Sequence, residues 1–482
     1  MSIGTDIDLT RIRDAMAGLE ISPSVEPNEA IDLERVFLPD GHRSVLDMKR
    51  QLVVGNRGVG KSFWTHALKN PTVRKRLAQA YSFPTLARTE VIIGFNGSVK
   101  RSATTPTIEE IQAAREAGND AELIWRAVIL HAVDSLRTAE GASDFTDAVA
   151  RLKRSPSDYT TELSAIDDEK AHEGSSILIV FDALDRLAHD WGLIRDLTKG
   201  LLRTVLGLQS FSSIRAKVFM RVDQFADTEL FRFPDSSKIR NDRVDLAWYP
   251  FELYGLLIFE LLRQQAAASV LEELARSLDA KSALPISGRP SANVHKQEVL
   301  ITAIAGEFMG HGSKRGRVYT WVPLHLGDAA NNCSPRTFLT AWRTAAEHVP
   351  APQELVVDHL GINEGVRRAS SARLTELSED YPWIKLGLEP LRRQFVPIEK
   401  EHLFELWNAE RVTERILEQS NGSGWLAPIG VIVEHSPAAL LQTMTSIAVM
   451  EERANGKINV PDIFRVEAGI LRKGGVAVPR KN

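Results

Sequence analysis

The stretch "QLVVGNRGVGKSFWTHAL", residues 51–68, decides the fold. It begins with an apolar run typical of a strand, passes through three glycines and ends in Lys61, Ser62 and a segment with helical character. Residues 55–62 match the phosphate-binding pattern G-x-x-x-x-G-K-[ST] at each fixed position. Glycines let successive backbone N–H groups face one anion, and the following helix directs its positive N-terminus to the same place. The stretch therefore predicts a site for a nucleoside triphosphate.

The last two residues of the motif, Lys61 and Ser62, have different predicted roles. Lys61 is expected to reach the β and γ phosphates, and the Ser62 hydroxyl to ligate the Mg²⁺ that bridges them. A chance match in a glycine-bearing turn is the alternative, but it does not account for the strand before the loop and the helix after it. The predicted cofactors are ATP and Mg²⁺, and the predicted binding residues are Gly55, Asn56, Arg57, Gly58, Val59, Gly60, Lys61 and Ser62.

A carboxylate suited to the same metal follows a second apolar run. In "ILIVFDALDRL", residues 177–187, five apolar residues precede Asp182, which is typical of a Walker B strand. Ligands bind at the carboxyl ends of strands in parallel α/β sheets, so Asp182 is expected to hold Mg²⁺. Asp185, three residues on, is a candidate to polarise the attacking water. An N-terminal helix cap is the equally favoured alternative for Asp185.

The order of elements predicts an α/β fold, a P-loop NTPase core with a parallel sheet. Continuous apolar runs, typical of buried parallel strands, alternate with helical segments up to about residue 250. Beyond that point helix formers dominate, and the last residues resemble the wing and final helix of a winged-helix module. The predicted strands cover 51–54, 90–95, 176–181, 216–220 and 243–248. The predicted domains are a polar leader at 1–30, the ATPase core at 31–250, a helical lid at 251–350 and a mostly helical, winged-helix-like domain at 351–482.

The spacing of the two motifs leads to a resemblance. About 120 residues separate the phosphate loop from Asp182, which places an extra strand between the two motif strands, as in the additional-strand class of ATPases. "FDALDRL", residues 181–187, resembles the hhhhD-x-x-D signature of STAND ATPases, which are relatives of AAA+ proteins. "RAKVFMRVDQF", residues 215–225, resembles their next strand with its terminal arginine. The resemblance covers about residues 45 to 345.

This resemblance implies roles for two arginines. Arg221, at the end of the second quoted strand, occupies a sensor-1-like position that reads the γ phosphate. Arg336, in "NCSPRTFLTAWRTAA" at 332–346, begins a lid helix and resembles sensor 2. A contact from either arginine to the γ phosphate ties nucleotide state to domain orientation. Arginines are also common at strand ends and helix starts without such a role, so both readings stay open.

The sequence departs from the family pattern next to both carboxylates. Ala183 follows Asp182 and Arg186 follows Asp185, where AAA+ and many STAND proteins carry glutamate, so slow hydrolysis is expected. The chain has no N-K-x-D motif for guanine, which favours ATP over GTP, and no L-S-G-G-Q signature of ABC transporters.

Three functions remain open. The first is an ATPase switch of STAND or AAA+ type whose nucleotide state controls a protein partner or oligomerisation, for which the resemblance implies a role in antiviral defence. The second is a DNA-engaging AAA+ type loader. The third is a non-catalytic scaffold that ATP stabilises.

The amino-acid composition indicates the cellular compartment of the protein but does not identify a binding partner. The 482 residues carry a net charge of −4 and one cysteine, Cys333, which fits a reducing cytoplasm and excludes a protein that is basic over its whole surface. No apolar run reaches the roughly 18 residues of a membrane span.

Two basic segments are candidates for nucleic-acid contact or for plain solvation: the glycine-rich "MGHGSKRGRVYTW" at 309–321, and the tail with Arg472, Lys473, Arg480 and Lys481. Four histidines without metal spacing are expected to be structural: His311, His325, His348 and His359.

Overall fold

Two compact units divide the chain in the computed structural model, which describes residues 7–21, 36–98, 102, 104–137, 144–188, 190–423 and 425–473. The first, here called the sheet unit, comprises the described residues of 42–246. The second, the helical unit, comprises the described residues of 1–24, 34–41 and 247–482. The sheet unit ends at Leu246, and the predicted core boundary at residue 250 remains a prediction.

Short strands and many helices alternate along the described residues. The strands are β1 (Leu52–Val54), β2 (Thr89–Phe95), β3 (Ser176–Phe181), β4 (Ile214–Met220), β5 (Val244–Asp245), β6 (Phe395–Val396), β7 (Glu451–Glu452), β8 (Ile458–Asn459) and β9 (Leu471–Arg472). The helices up to residue 262 are α1 (Leu9–Ala17), α2 (Lys61–Lys69), α3 (Pro71–Ala80), α4 (Ile108–Glu116), α5 (Ala121–Arg137), α6 (Phe145–Arg154), α7 (Ser157–Glu173), α8 (Trp191–Gly207), α9 (Val222–Ala226), α10 (Ser236–Asn241) and α11 (Pro250–Leu262). The later helices are α12 (Gln265–Ser277), α13 (Val294–Ala305), α14 (Val318–Leu326), α15 (Pro335–Glu347), α16 (His359–Asp380), α17 (Trp383–Leu388), α18 (Lys400–Ala409), α19 (Val412–Ser423), α20 (Ile429–Glu434), α21 (Pro437–Ser446) and α22 (Asp462–Arg465).

A five-stranded parallel sheet forms the centre of the sheet unit, in the order β2-β3-β4-β1-β5. The strand that precedes the phosphate loop, β1, and the strand that precedes Asp182, β3, both pair with β4, which lies between them. The extra strand expected between the two motif strands is confirmed. Because all five strands run in the same direction, the residues that follow β1, β3 and β4 meet at one edge of the sheet.

Apolar side chains cover both faces of this sheet, which is why its strands read as continuous apolar runs. Alternate residues of β3, such as Ile179 and Phe181, join a core with α5 and α8, and the residues between them are equally buried on the opposite face. Trp125 of α5 packs its edge against Phe95 and Phe181, with ring centroids 5.9 and 5.6 Å apart. The Trp125 indole N–H donates to the Leu197 carbonyl at 2.7 Å, which fixes α5 against α8.

The strand expected over 243–248 is much shorter in the structure. Only Val244 and Asp245 pair with β1, and the Leu246 N–H adds one further bond to the Val54 carbonyl at 2.7 Å. Pro250 then occupies the first position of α11. A proline at that position favours the helix, which begins two residues after the predicted end of the strand.

Helices build most of the helical unit. The N-terminal helix α1 belongs to this unit, where Ile12 and Met16 are fully buried. The axes of α15 and α16 approach closely at two glycines of α16, since a Cβ atom at Gly365 would lie 2.1 Å from the Ala341 carbonyl oxygen. The described helices lack the length and apolar content needed to cross a membrane.

The last part of the helical unit has a strand, helices and hairpin in the order of a winged helix. Ile398 forms an antiparallel bridge with Ile458, helices α18 to α21 follow, and β7 and β8 close an antiparallel hairpin. The chain then enters α22, and β9 pairs in parallel with β6. A mostly helical region follows the sheet, as the sequence predicts, and the winged-helix assignment of its last part remains a prediction. The subdivision of this unit at residue 350 remains a prediction.

Candidate nucleotide site

The predicted phosphate loop connects the end of β1 to the start of α2. Gly58 and Gly60 have φ angles of +80° and +108°, a region that only glycine adopts without strain. Gly55 has no room for a side chain, because a Cβ atom there would lie 2.7 Å from Cγ2 of Val59 and 3.0 Å from Cβ of Leu246. The loop therefore needs glycine at residues 55 and 60, which the phosphate-binding pattern fixes, and also at residue 58, which the pattern leaves open.

Lys61, the first residue of α2, folds back over the loop. Its ammonium donates to the carbonyls of Gly55 and Asn56 at 2.8 and 2.9 Å. Burial lowers the pKa of Lys61 to about 8, although the carboxylate of Asp182 acts in the opposite direction. The lysine is thus held at the loop, where phosphate oxygens can replace the two carbonyls as acceptors.

Asp182 immediately follows β3, and the structure brings it to the same edge as the loop. Its backbone N–H donates to the Phe95 carbonyl at 2.9 Å, and its Oδ1 accepts from the Ala183 N–H at 2.8 Å. Its Oδ2 lies 3.3 Å from Oγ1 of Thr65, one turn into α2. Burial raises the pKa of Asp182, while the Ala183 hydrogen bond and the Lys61 ammonium lower it. A carboxylate and a hydroxyl beside a phosphate loop form an oxygen donor set that suits Mg²⁺.

Asp185 lies in a short 3₁₀ turn after Asp182 and does not cap the next helix. Asp190 does so, since its side chain accepts from the backbone at the start of α8. The carboxylate of Asp185 instead pairs with Arg221, with Oδ2 3.1 Å from Nη1. Arg221 also pairs with Asp223, with Nε 3.1 Å from Oδ1. The structure thus joins the two residues that the sequence proposed separately as base and sensor.

Gln224 adds a second polar side chain at the end of β4. Its Oε1 accepts from the Arg221 backbone N–H at 3.3 Å, and its residue is 5% exposed. Among the residues that the structure describes, its Nε2 has no hydrogen-bond partner. A buried donor without an acceptor is costly, and a ligand oxygen or a water molecule can satisfy it.

Arg336 lies in the helical unit, at the start of α15, with Ser334 as the helix cap. Its guanidinium forms an ion pair with Glu376 of α16, and the carboxylate of Glu376 also accepts from Arg373. The sensor-2 role of Arg336 remains a prediction.

The two basic segments differ in the exposure and contacts of their charged side chains. Residues 309–316 form the tip of a hairpin, in which the Met309 N–H donates to the Gly316 carbonyl at 2.9 Å, and 311–315 are exposed. In the tail, Arg472 is tied to the buried carboxylate of Asp462 at 2.7 Å, and Lys473 lies over the ring of Phe395. The other two basic tail residues, Arg480 and Lys481, lie outside the described residues.

Three of the four histidines make contacts with other aromatic rings. His325 stacks on Trp321 with ring centroids 3.7 Å apart, and burial lowers its pKa. His311 and His359 meet edge to face at 6.4 Å. In the part of the chain that the structure describes, no three His, Cys, Asp or Glu side chains are grouped to hold a metal ion.

Three side chains of the site were missed in the sequence, and Gln224, three residues after Arg221, had no distinguishing signal there. Thr65 falls one helical turn after Lys61 on the same helix face, so helical spacing from the loop could have indicated it. Asp223 follows Arg221 by two residues, and the opposite charges in "RVD" were the available signal. Neither signal is specific without the geometry.

Comparison with known proteins yields distant structural likenesses. No protein-family model matches the chain, and no curated protein matches it. One similar structure is a Walker-type ATPase of Pyrococcus abyssi, with 12% identity over 93% of this chain and 98% of that one and a TM-score of 0.37. Another is the ORC2 protein of Aeropyrum pernix in ADPNP and ADP complexes, with 14% identity, coverage of 93% and 95%, and a TM-score of 0.38. A third is Drosophila ORC bound to DNA, with 12% identity, coverage of 97% and 93%, and a TM-score of 0.31.

Likenesses at this level are too distant to carry a functional assignment. The strand order, the position of the glycine loop between β1 and α2, and Asp182 at the end of β3 stand on the geometry of this chain itself. Together they make the sheet unit a P-loop NTPase fold of the additional-strand class, the arrangement found in AAA+ ATPases.

Proposed function

We propose that the chain binds ATP with Mg²⁺ at the phosphate loop and hydrolyses it slowly, as a nucleotide-dependent switch. The observation that carries the proposal is the hydrogen bond between Thr65 and Asp182, because it joins the helix after the loop to the strand that supplies the metal carboxylate. The phosphate loop, Lys61 and Asp182 thus lie at one edge of the sheet, and phosphoryl transfer requires such fixed positions.

Phosphate binding is assigned to this chain's own groups. The N–H groups of Gly58, Gly60 and Lys61 lie in the turn between β1 and α2, and the Lys61 ammonium supplies a positive charge. Ser62, Thr65 and Asp182 are the residues assigned to Mg²⁺, with Ser62 as a direct ligand and Thr65 orienting the carboxylate. The metal neutralises charge on the phosphate oxygens when it is bound.

Slow turnover is proposed because of the state of Asp185. No glutamate stands beside either Walker B aspartate, and the carboxylate of Asp185 is engaged by Arg221. A carboxylate oxygen that already accepts a hydrogen bond from a guanidinium must be released before it can accept a proton from water. ATP is preferred to GTP since the chain has no guanine-reading motif.

The switch part of the proposal depends on the motif resemblance to STAND ATPases. Proteins of this kind couple nucleotide state to a protein partner or to self-assembly, and a role in antiviral defence follows from the same resemblance. Arg221 and Arg336 are the residues proposed to sense the γ phosphate.

Turnover tests this proposal. Phosphate release from Mg·ATP is compared for the wild type, Lys61→Ala and Asp185→Asn, with and without duplex DNA. The matched control is Asp196→Asn, which removes a carboxylate paired with Arg115 at the surface. Loss of binding in the first variant and of turnover in the second, with DNA having no effect, supports the switch. Tight binding without turnover in any condition supports the scaffold instead.

A DNA-engaging ATPase is the second candidate, favoured by the winged-helix order of the helical unit and by its basic hairpin. The exposed tip of this hairpin carries Lys314 and Arg315. If these residues contact DNA phosphates, the double variant Lys314→Glu, Arg315→Glu loses about two phosphate contacts. The slope of the logarithm of DNA affinity against the logarithm of salt concentration then becomes shallower by the corresponding amount. Lys281→Glu, at another exposed position of the same unit, is the control. DNA binding that is unchanged in the double variant argues against the hairpin.

A further inference from the structure

Two carboxylates from different elements share one guanidinium at the proposed ATP site. Arg221 follows β4, the strand that lies between the loop strand and the Asp182 strand. Its Nη1 meets Asp185 and its Nε meets Asp223, both at 3.1 Å, and its side chain is 16% exposed. The charges of all three groups act on the Lys61 ammonium, which places them beside the phosphate loop.

The two carboxylates differ in how firmly they are held. Asp223 lies two residues after Arg221, in the first turn of α9, and its side chain is 15% exposed. Asp185 comes from the turn after β3, and its side chain is 34% exposed. Asp223 thus moves with the arginine that it holds, whereas the contact to Asp185 spans two elements and is open to solvent.

An ATP γ phosphate competes with only one of these contacts. Its oxygens are strong acceptors for a guanidinium, and ADP lacks them. When Nη1 turns to the phosphate, the oxygen of Asp185 is released while Nε stays on Asp223. Arg221 can therefore change its partner without losing its position.

We propose that Asp223 is a positioning residue that holds Arg221 while Nη1 exchanges between Asp185 and the γ phosphate of ATP. Without a γ phosphate, Arg221 stays paired with Asp185. With ATP, Asp185 is released to accept a proton from water. The water oxygen bonds to the γ phosphorus, the bond from phosphorus to the β–γ bridging oxygen breaks, and ADP leaves with that electron pair. This inference depends on the proposed function, since it assumes that ATP occupies the loop.

The affinity ratio for ATP over ADP tests the proposal without requiring turnover. Equilibrium binding of both nucleotides with Mg²⁺ is measured for the wild type, Asp223→Ala, Asp223→Asn and Arg221→Ala. We expect Asp223→Ala to lower the ratio about tenfold, which corresponds to the loss of one charge-assisted contact. Asp223→Asn keeps an acceptor oxygen and restores part of the ratio. In an Arg221→Ala background, Asp223→Ala causes no further loss, because the residue acts through the arginine.

A matched control variant distinguishes a loss of Arg221 positioning from a general loss of protein stability. Asp227→Ala removes a carboxylate that is 16% exposed and pairs with Arg195 in the same unit, and it should leave the ratio unchanged. A wild-type ratio in Asp223→Ala, or an equal further loss in the Arg221→Ala background, overturns the inference while the proposed function stands. Absence of nucleotide binding by the wild type overturns both.

Discussion

The hydroxyl of Thr65 and the carboxylate of Asp182 lie 3.3 Å apart, Oγ1 to Oδ2, across the gap between α2 and the end of β3. Thr65 Oγ1 also lies 3.3 Å from the Lys61 carbonyl, so its one proton is shared between that carbonyl and the Asp182 carboxylate. This pair orients the carboxylate that is proposed to hold Mg²⁺, although neither the loop pattern nor the Walker B pattern includes Thr65.

Removing this hydroxyl should weaken the metal-dependent part of ATP binding. Thr65→Val keeps the shape of the side chain but removes the donor to Oδ2 of Asp182, which retains only the Ala183 N–H on Oδ1. We expect the gain in ATP affinity that Mg²⁺ provides to fall about tenfold, in the range found for residues that orient metal ligands. Titrations of ATP with Mg²⁺ and with EDTA measure this gain. Thr65→Ser is the control and should keep it; an equal gain in wild type and Thr65→Val would refute the role.

ATP affinity should depend on pH through Lys61. Its pKa in the free chain is about 8, and the negative phosphates are expected to raise it, so binding above about pH 8 takes up a proton. Affinity should therefore fall as the pH rises beyond about 8, at most tenfold per pH unit. Binding constants across this range test the slope. Lys61→Arg stays charged and should lose the dependence, and a slope that persists in this variant would assign the titration to another group.

A methyl group at Gly55 should disrupt the loop. Its Cβ atom would lie 2.7 Å from Val59 and 3.0 Å from Leu246, so the backbone must shift. We expect Gly55→Ala to reduce ATP affinity at least about tenfold. The matched control is Gly207→Ala, at the end of α8, where a Cβ atom meets nothing within 4 Å. The control should raise stability by about 0.4–1 kcal/mol. Normal ATP binding by Gly55→Ala would show that the loop tolerates a different path.

The buried lysine of β4 should give the protein a specific pH dependence of stability. Lys217 is fully buried, its ammonium donates to the carbonyls of Asp47 and Arg50, and burial lowers its pKa to about 7. Between about pH 7 and 10.5 the unfolded chain binds a proton that the folded chain does not, so the free energy of unfolding rises with pH. The slope due to this residue reaches at most about 1.4 kcal/mol per pH unit.

Chemical denaturation across that pH range compares the wild type with Lys217→Met. The variant should be less stable at the upper end, since two carbonyls lose their donor, and its profile should lack the rise. Lys49→Met, at an exposed position, serves as the control. Parallel profiles for wild type and Lys217→Met would contradict a neutral buried lysine.

The apolar pattern of each strand predicted the sheet from the sequence. Contacts between residues of different segments could be identified only in the structure. The apolar runs that end at Val54, Phe181 and Met220 indicated buried parallel strands, because both faces of the sheet are covered. The short β5 was overestimated: "RVDLAW" has strand character, but only its Val244 and Asp245 pair with β1, and α11 begins at Pro250. The ion pair between Asp185 and Arg221 joins residues 36 positions apart, and no local pattern encodes it.

Equilibrium binding of ATP to the wild type and to Lys61→Ala, with Mg²⁺ present, tests the central claim most directly. Lys69→Ala is the control, because Lys69 is the exposed last residue of the same helix α2. The account predicts that the wild type and the control bind ATP with equal affinity and that Lys61→Ala binds it more than about tenfold more weakly. Equal binding by all three proteins, or no binding by the wild type, would contradict an ATP site at this loop.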